Sequence, residues 1–177
     1  MLHWNMHMPE LSSNKRVRFD YEILDEYEAG ISLFGFEVKS AKDHRMNLAG
    51  SFVVLLNEAC PHTKRHGRCG VGAWLLNASI PPYQAKNTPS GYDPLRSRRL
   101  LLHKAELKEL IGASAQKGLT IVPIRAYTKQ GKIKIVIALA RHKKAKDKRE
   151  TIRKREAERE ISRTLKKEEN PPHRYFS

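Results

Sequence analysis

"LTIVPIRAYTKQGKIKIVIALA", residues 119–140, decides the fold. Two runs dense in Ile, Val, Ala and Tyr flank the polar link Lys129-Gln130-Gly131. β-Branched and aromatic side chains suit a pleated, half-buried surface, and glycine takes positive φ without a steric penalty. The stretch therefore predicts an antiparallel hairpin with Gly131 at its turn. Pro123 has no backbone N–H to give a ladder, so it belongs at an edge or bulge of the first strand.

Working outward, "SFVVLLN" (51–57) and "AWLLNASI" (73–80) are two further apolar runs of strand length. "RFDYEILDEYEAGISLFGFEVKS" (18–40) mixes β-formers with charges. Gly30 and Gly35 punctuate it, which predicts strands meeting at turns. "KAELKELIGASAQKG" (104–118) is the clearest helix: Leu107, Leu110 and Ile111 share one face, and Gly118 stands where a C-terminal stop is expected. Many short strands and one good helix argue for a mainly β fold with helices against it, a small antiparallel barrel. No internal repeat is visible. Residues 1–13 read as a loose leader, 14–140 as the barrel with a polar insertion at 58–72, and 141–177 as a tail.

That tail differs in kind. "RHKKAKDKRETIRKREAEREI" (141–161) follows the last strand almost without apolar residues. Residues 141–167 hold 13 Lys/Arg against 5 Asp/Glu, so +8 of the chain's net +15 resides there. Glu150–Lys154 is an i,i+4 pair, and Glu156–Arg159 and Glu160–Arg163 are i,i+3 pairs, each worth about 0.2–0.5 kcal/mol in a helix. Ala157, Ile161 and Leu165 make only a thin apolar stripe. A helix with so little to bury is marginal alone. The segment is expected to be disordered when free and helical once an anionic surface neutralises its cations. Read from composition only, it could equally be a solvated tail.

A charge excess of this size speaks to partners and not to fold. A polyanion such as nucleic acid leads, with an anionic membrane surface behind it. The membrane reading fails. The start has no basic region followed by an apolar run. The longest uncharged stretch, "CGVGAWLLNASIPPYQA" (69–85), is broken by Asn77 and Pro81-Pro82. Two cysteines make no disulfide framework, so the expectation is a soluble, cytoplasmic protein. A monomer is expected without a sequence signal that requires it.

No catalytic pattern stands out: there is no phosphate-binding "GxxxxGK[ST]", no "GxGxxG" with its acidic partner, no "HExxH". His44 and His103 have no partners visible in the sequence. Acidic residues scattered among basic ones read as surface pairs and not as a general acid and base. The expectation is a non-enzymatic protein without cofactor. Within the insertion, Cys60, His62, His66 and Cys69 have the ligand types of a tetrahedral zinc site. Structural zinc sites join two separated ligand pairs, whereas these four crowd together beside Lys64, Arg65 and Arg68. The segment reads instead as a basic loop, with no metal.

Beyond composition, "NKRVRFDYEI" (14–23), "YEAGISLFGFEVKS" (27–40), "RMNLAGSF" (45–52), "DPLRSRRLLLHKAEL" (93–107), "KGLTIVPIRAYTKQGKIKIVIALAR" (117–141) and "KKAKDKRETIRKREAERE" (143–160) resemble, in order, the blocks of the SmpB family of SsrA-binding proteins. The resemblance implies a six-stranded antiparallel OB-like barrel with flanking helices. It implies binding to the tRNA-like domain of transfer-messenger RNA (tmRNA) and rescue of stalled ribosomes by trans-translation. The tail, Lys143 to Lys167, would lie as a helix in the empty mRNA channel against small-subunit ribosomal RNA.

Residue by residue, the resemblance assigns RNA contact to Glu28, Gly30, Lys39, Arg45, Asn47, Leu101, His103 and Lys134. A lone Glu in a basic protein can accept from a base amino group or 2′-OH, or pair internally with an Arg. Leu101, by residue type alone, reads as core. His103 stands where some relatives carry Asn, which keeps a hydrogen-bond donor. In the tail, Lys143, Lys144, Asp147, Lys148 and Arg149 match the family pattern, followed by Arg153, Lys154 and Arg155. His142 replaces a usual Gly, so a sharp bend there would be costlier. Lys146 replaces a usual ring, so charge but not stacking is expected there. The alternatives are a general ribosome-associated OB-like protein, or an RNA chaperone acting by charge.

Overall fold

A computed structural model describes residues 9–57, 70–84, 88–114, 116, 118–144, 153, 156 and 160. The predicted hairpin is its longest feature. Strands β6 (Leu119–Lys129) and β7 (Lys132–His142) pair along their length from Leu119↔Arg141 to Lys129↔Lys132. Gln130 (φ 50°) and Gly131 (φ 75°) make the turn, the left-handed pair that a two-residue hairpin loop requires. The register slips between Pro123 and Arg125, so Pro123 sits at a bulge.

The other strands are β1 (Glu10–Ser13), β2 (Tyr21–Ile31), β3 (Phe52–Asn57), β4 (Val71–Leu76) and β5 (Arg98–Leu101). Every pairing is antiparallel. The order β6–β3–β4–β5–β2–β7 closes back on β6, giving a six-stranded OB-like barrel, with β1 laid on β6 as a seventh strand. The expected fold class is borne out. β7 reads as an almost continuous apolar run because both of its faces are covered. Ile133, Ile135, Ile137 and Leu139 enter the main core, while Val136, Ala138 and Ala140 join a second cluster with Val17, Val122, Ile124 and Tyr127.

Several local expectations are corrected. Residues 10–13 form β1, with Leu11 buried, and do not belong to a leader. Val71 and Gly72, read as insertion, start β4, and β7 continues past Ala140 to His142. His142 lies in extended pairing with Tyr21, edge-on to its ring at 5.3 Å, so the bend that a glycine would ease does not occur there. Gly30 is inside β2, and Gly35 opens a helix; neither is a strand turn. Ile111 points outward from its helix, while Leu110 is fully buried and Leu107 packs on the core.

Among the described residues, three helices flank the barrel: α1 (Val17–Asp20), α2 (Gly35–Lys42) and α3 (Lys104–Ser114). α2 occupies a stretch that β-formers mark as strand. Tertiary contacts override that propensity, because Glu37 caps the first turn by accepting from the Phe34 backbone N–H at 2.7 Å and is itself fully buried. α3 ends at Ser114, ahead of Gly118, whose φ of 86° serves the turn into β6.

The chain divides into two compact units, Met1–His142 and Lys143–Ser177. In the second, Arg153, Glu156 and Glu160 have helical backbone and exposed side chains. Lys146, Asp147, Lys148, Arg149, Lys154 and Arg155 lie outside the described residues, as do Cys60, His62, His66 and Cys69. Among the described residues, no helix is long and apolar enough to cross a membrane.

Candidate nucleic-acid interface

β2 leaves β7 for β5 near Gly30, which faces both Leu101 and Lys134 in the two ladders. A Cβ at Gly30 would meet the Leu101 Cβ at 3.2 Å, so the missing side chain is what allows the strands this close approach. A groove of about 770 Å³ opens beside this junction. Ile31, Leu33, Val38, Leu102 and Ile133 line it with apolar surface. Glu28, Glu106, His103, Lys129, Lys132 and Lys134 supply its polar groups.

Five of the eight predicted barrel residues therefore come together here: Glu28, Gly30, Leu101, His103 and Lys134. Leu101 is 55% exposed, and the expectation of a core residue is corrected. It is the last residue of a short strand whose burial alternates, so Leu100 turns inward and Leu101 outward. The backbone N–H of His103 donates to the Glu106 carboxylate at 2.9 Å, fixing the start of α3 at the groove edge.

Lys39, Arg45 and Asn47 do not line the groove. Lys39 is exposed on α2. Arg45 lies 3.5 Å from Asp43 and stands over the Tyr83 ring at 5.8 Å. The Asn47 side chain accepts from the Ala49 N–H at 2.9 Å, while its backbone bridges Ser79.

Glu28 has an internal role that its position alone did not reveal. Its carboxylate accepts from the Tyr127 hydroxyl and from Lys129 Nζ at 3.0 Å, with Lys134 Nζ 3.6 Å away. The partners are two lysines and a tyrosine, not an arginine. Burial pushes the carboxyl up, but the Tyr127 and Lys129 hydrogen bonds and the charges of Lys129 and Lys134 outweigh it. The net result is a group held below its ordinary value. Burial, then the hydrogen bond to Glu28 and its charge, push the Tyr127 hydroxyl up, so it remains a donor. One carboxylate thus gathers two ammonium groups at the groove wall and leaves the cluster net positive. Tyr127 and Lys129 were missed in the sequence, although i,i+2 spacing on β6 does place them on one face.

Next in the chain to the groove residue Val38, a second carboxylate organises the scaffold. Glu37 Oε1 accepts from Tyr92 Oη (2.9 Å), Arg96 Nε (2.9 Å) and Arg98 Nε and Nη2 (3.0 and 2.9 Å). Its Oε2 accepts from Arg96 Nη2 at 2.5 Å. Arg98 is fully buried and also donates to the carbonyls of Ala78 and Pro94. Glu37 departs from the reading of the acidic residues as surface pairs, since its side chain is fully buried.

Among the described residues, no group of His, Cys, Asp and Glu is placed to hold a metal ion. What the fold offers is a small OB-like barrel with a cation-rimmed, partly apolar groove, the class of module that holds oligonucleotides on a sheet face. The SmpB protein family model matches residues 11–167, and the chain belongs to that family. It is similar to the SsrA-binding proteins of Trichodesmium erythraeum (44% identical, over 88% of this chain and 92% of that protein) and Thermosynechococcus vestitus (43%, 88% and 94%). The SsrA-binding protein of Ligilactobacillus salivarius is 44% identical over 88% of this chain. A solved structure described as "tmRNA-SmpB: a journey to the center of the bacterial ribosome" contains a similar chain. It is 41% identical, with a TM-score of 0.56, over 80% of this chain and 93% of that one.

Proposed function

We propose that this chain is a cytoplasmic, non-enzymatic adaptor. It binds the tRNA-like domain of tmRNA and brings it to stalled ribosomes for trans-translation. The observation that carries the reading is the convergence of Glu28, Gly30, Leu101, His103 and Lys134 on one groove, in a chain whose relatives are SsrA-binding proteins. Lysines held at the rim supply charge for phosphates. The exposed Leu101 and the groove's apolar surface accept ribose and base faces, which suits structured RNA better than a bare phosphate track. The tail contributes separately: its Lys and Arg residues neutralise ribosomal RNA phosphates along an mRNA channel that lacks mRNA, ordering the segment as a helix.

The test is a salt-stepped binding titration of the purified chain against the tRNA-like fragment of tmRNA, an elongator tRNA and an unrelated hairpin of equal length. The expected result is a preference for the first that survives rising salt. Equal affinities that collapse together with salt would leave a general RNA binder and overturn the adaptor reading.

A further inference from the structure

Immediately beyond the groove residue Leu33, Phe34 stands 52% exposed at the start of α2. A large ring left this open at a helix start contributes little to folding. Its surroundings are nevertheless ordered. Phe34 stacks on Phe36 with ring centroids 5.6 Å apart and planes 25° from parallel, and Phe36 meets Tyr92 edge-on at 4.8 Å. The Arg96 guanidinium carbon lies 4.1 Å from the centre of the Phe34 ring. That guanidinium is not free to wander: Glu37 holds it through both Nε and Nη2. The same carboxylate fixes Tyr92 and the Phe34 backbone, so three parts of the assembly share one buried anchor.

The local charge matters too. One carboxylate, Glu37, faces two arginines, Arg96 and Arg98, leaving an uncompensated positive charge beside the exposed ring. A preformed aromatic–guanidinium stack that is partly open and net cationic suits a flat π-system attached to an anion. A nucleotide has that chemistry. An acidic peptide would meet the charge but leave the ring unused.

We propose that Phe34 and Arg96 form a stacking site for one unpaired nucleobase of the RNA held in the groove. The proposal rests on the reading of the chain as an RNA binder and adds a contact outside the groove. Base–aromatic stacking tolerates any base, since each has a π-face. Its contribution to affinity is therefore nearly independent of salt, unlike a phosphate contact.

The experiment compares the full chain with Phe34→Leu, which keeps apolar bulk but removes the ring, and Phe34→Trp, which keeps stacking. Each is titrated with full-length tmRNA over a range of salt, with thermal unfolding recorded alongside. Phe34→Leu should weaken binding roughly 5- to 100-fold with the salt slope unchanged, and Phe34→Trp should stay within about threefold of the parent. A photocrosslinking residue at position 34 should map to an unpaired nucleotide. Unchanged affinity in a folded Phe34→Leu chain overturns the stacking site alone, as does a crosslink to protein and not RNA. A parent chain with no preference for tmRNA overturns both this site and the function on which it rests.

Discussion

Glu37 and Arg98 stand 61 residues apart in the chain and meet with both side chains fully buried, at 2.9 Å. The contact ties α2 to β5, and Tyr92 and Arg96 add their donors to the same carboxylate. Burial pushes the Glu37 carboxyl up, but the Arg96 and Phe34 hydrogen bonds and the Arg98 charge outweigh it and hold the group below its ordinary value.

Breaking this pair by removing only one partner leaves a charge buried without compensation. Glu37→Ala should therefore cost about 3–5 kcal/mol, read as a lower urea midpoint. Arg98→Met should cost less, because Arg96 still holds Glu37. Equal losses in the two variants would show that Arg96 does not share the carboxylate.

Acid should weaken the fold through Glu28 and Glu37. Both carboxyls lie below the ordinary 4.5 in the folded chain, so above that pH both states are ionised and their contribution is complete. As pH falls past 4.5 the unfolded chain takes up protons first, and stability drops until the folded-state values are passed. Urea midpoints measured from pH 6 to pH 2 should fall, and Glu28→Gln should make the fall shallower. An unchanged slope in that variant would remove Glu28 from the account.

Tyr127 acts at the other end of the scale. Its hydroxyl titrates above the ordinary 10.0 when folded, so its contribution is complete below pH 10 and is lost as pH rises through the folded value. An ultraviolet tyrosinate titration should show fewer groups ionising near pH 10 in the parent than in the unfolded chain, because burial also pushes the Tyr27 and Tyr92 hydroxyls up. Tyr127→Phe should remove one of these late-titrating groups, the one most strongly raised.

Lys134 and Lys129 line the groove beside Glu28, and the proposed function has them neutralise phosphates. Replacing Lys134 by Ala should weaken tmRNA binding and lower the slope of log affinity against log salt by about one. Lys129→Met should act in the same direction. Weaker binding with an unchanged slope would mean that the lysines shape Glu28 and do not meet phosphate.

Removing residues 143–177 cuts after the last paired residue, His142, and leaves the barrel's ladders whole. The shortened chain should bind tmRNA within about tenfold of the full chain while tagging of stalled products is lost. Normal tagging by it would separate the tail from ribosome rescue.

The hairpin was legible because its signals are local: two apolar strands, the short polar link Lys129-Gln130-Gly131, and Pro123 at an edge or bulge. The tail's charge was legible in its composition, and the convergence of Glu28, Gly30, Leu101, His103 and Lys134 on one groove was legible through resemblance, residue by residue. The α2 helix was not legible, since Phe36 and Val38 favour strand and the group that turns the segment helical, Glu37, gains its value from Arg96 and Arg98. Leu101 misled because leucine is usually core, and its outward direction follows from strand alternation that becomes definite only once β5 is paired.

By itself the sequence determined the antiparallel barrel and the division of charge between body and tail, because periodicity, turn chemistry and charge act over a few residues. It determined the family through blocks that stand in order along the chain. Only the tertiary structure decided which face Leu101 takes, that Glu28 answers to Tyr127, Lys129 and Lys134, and that Glu37 is a buried anchor and not a surface acid. Those outcomes depend on residues about 60 to 100 positions apart sharing a low-dielectric site, where an unpaired charge is costly and a paired one is held.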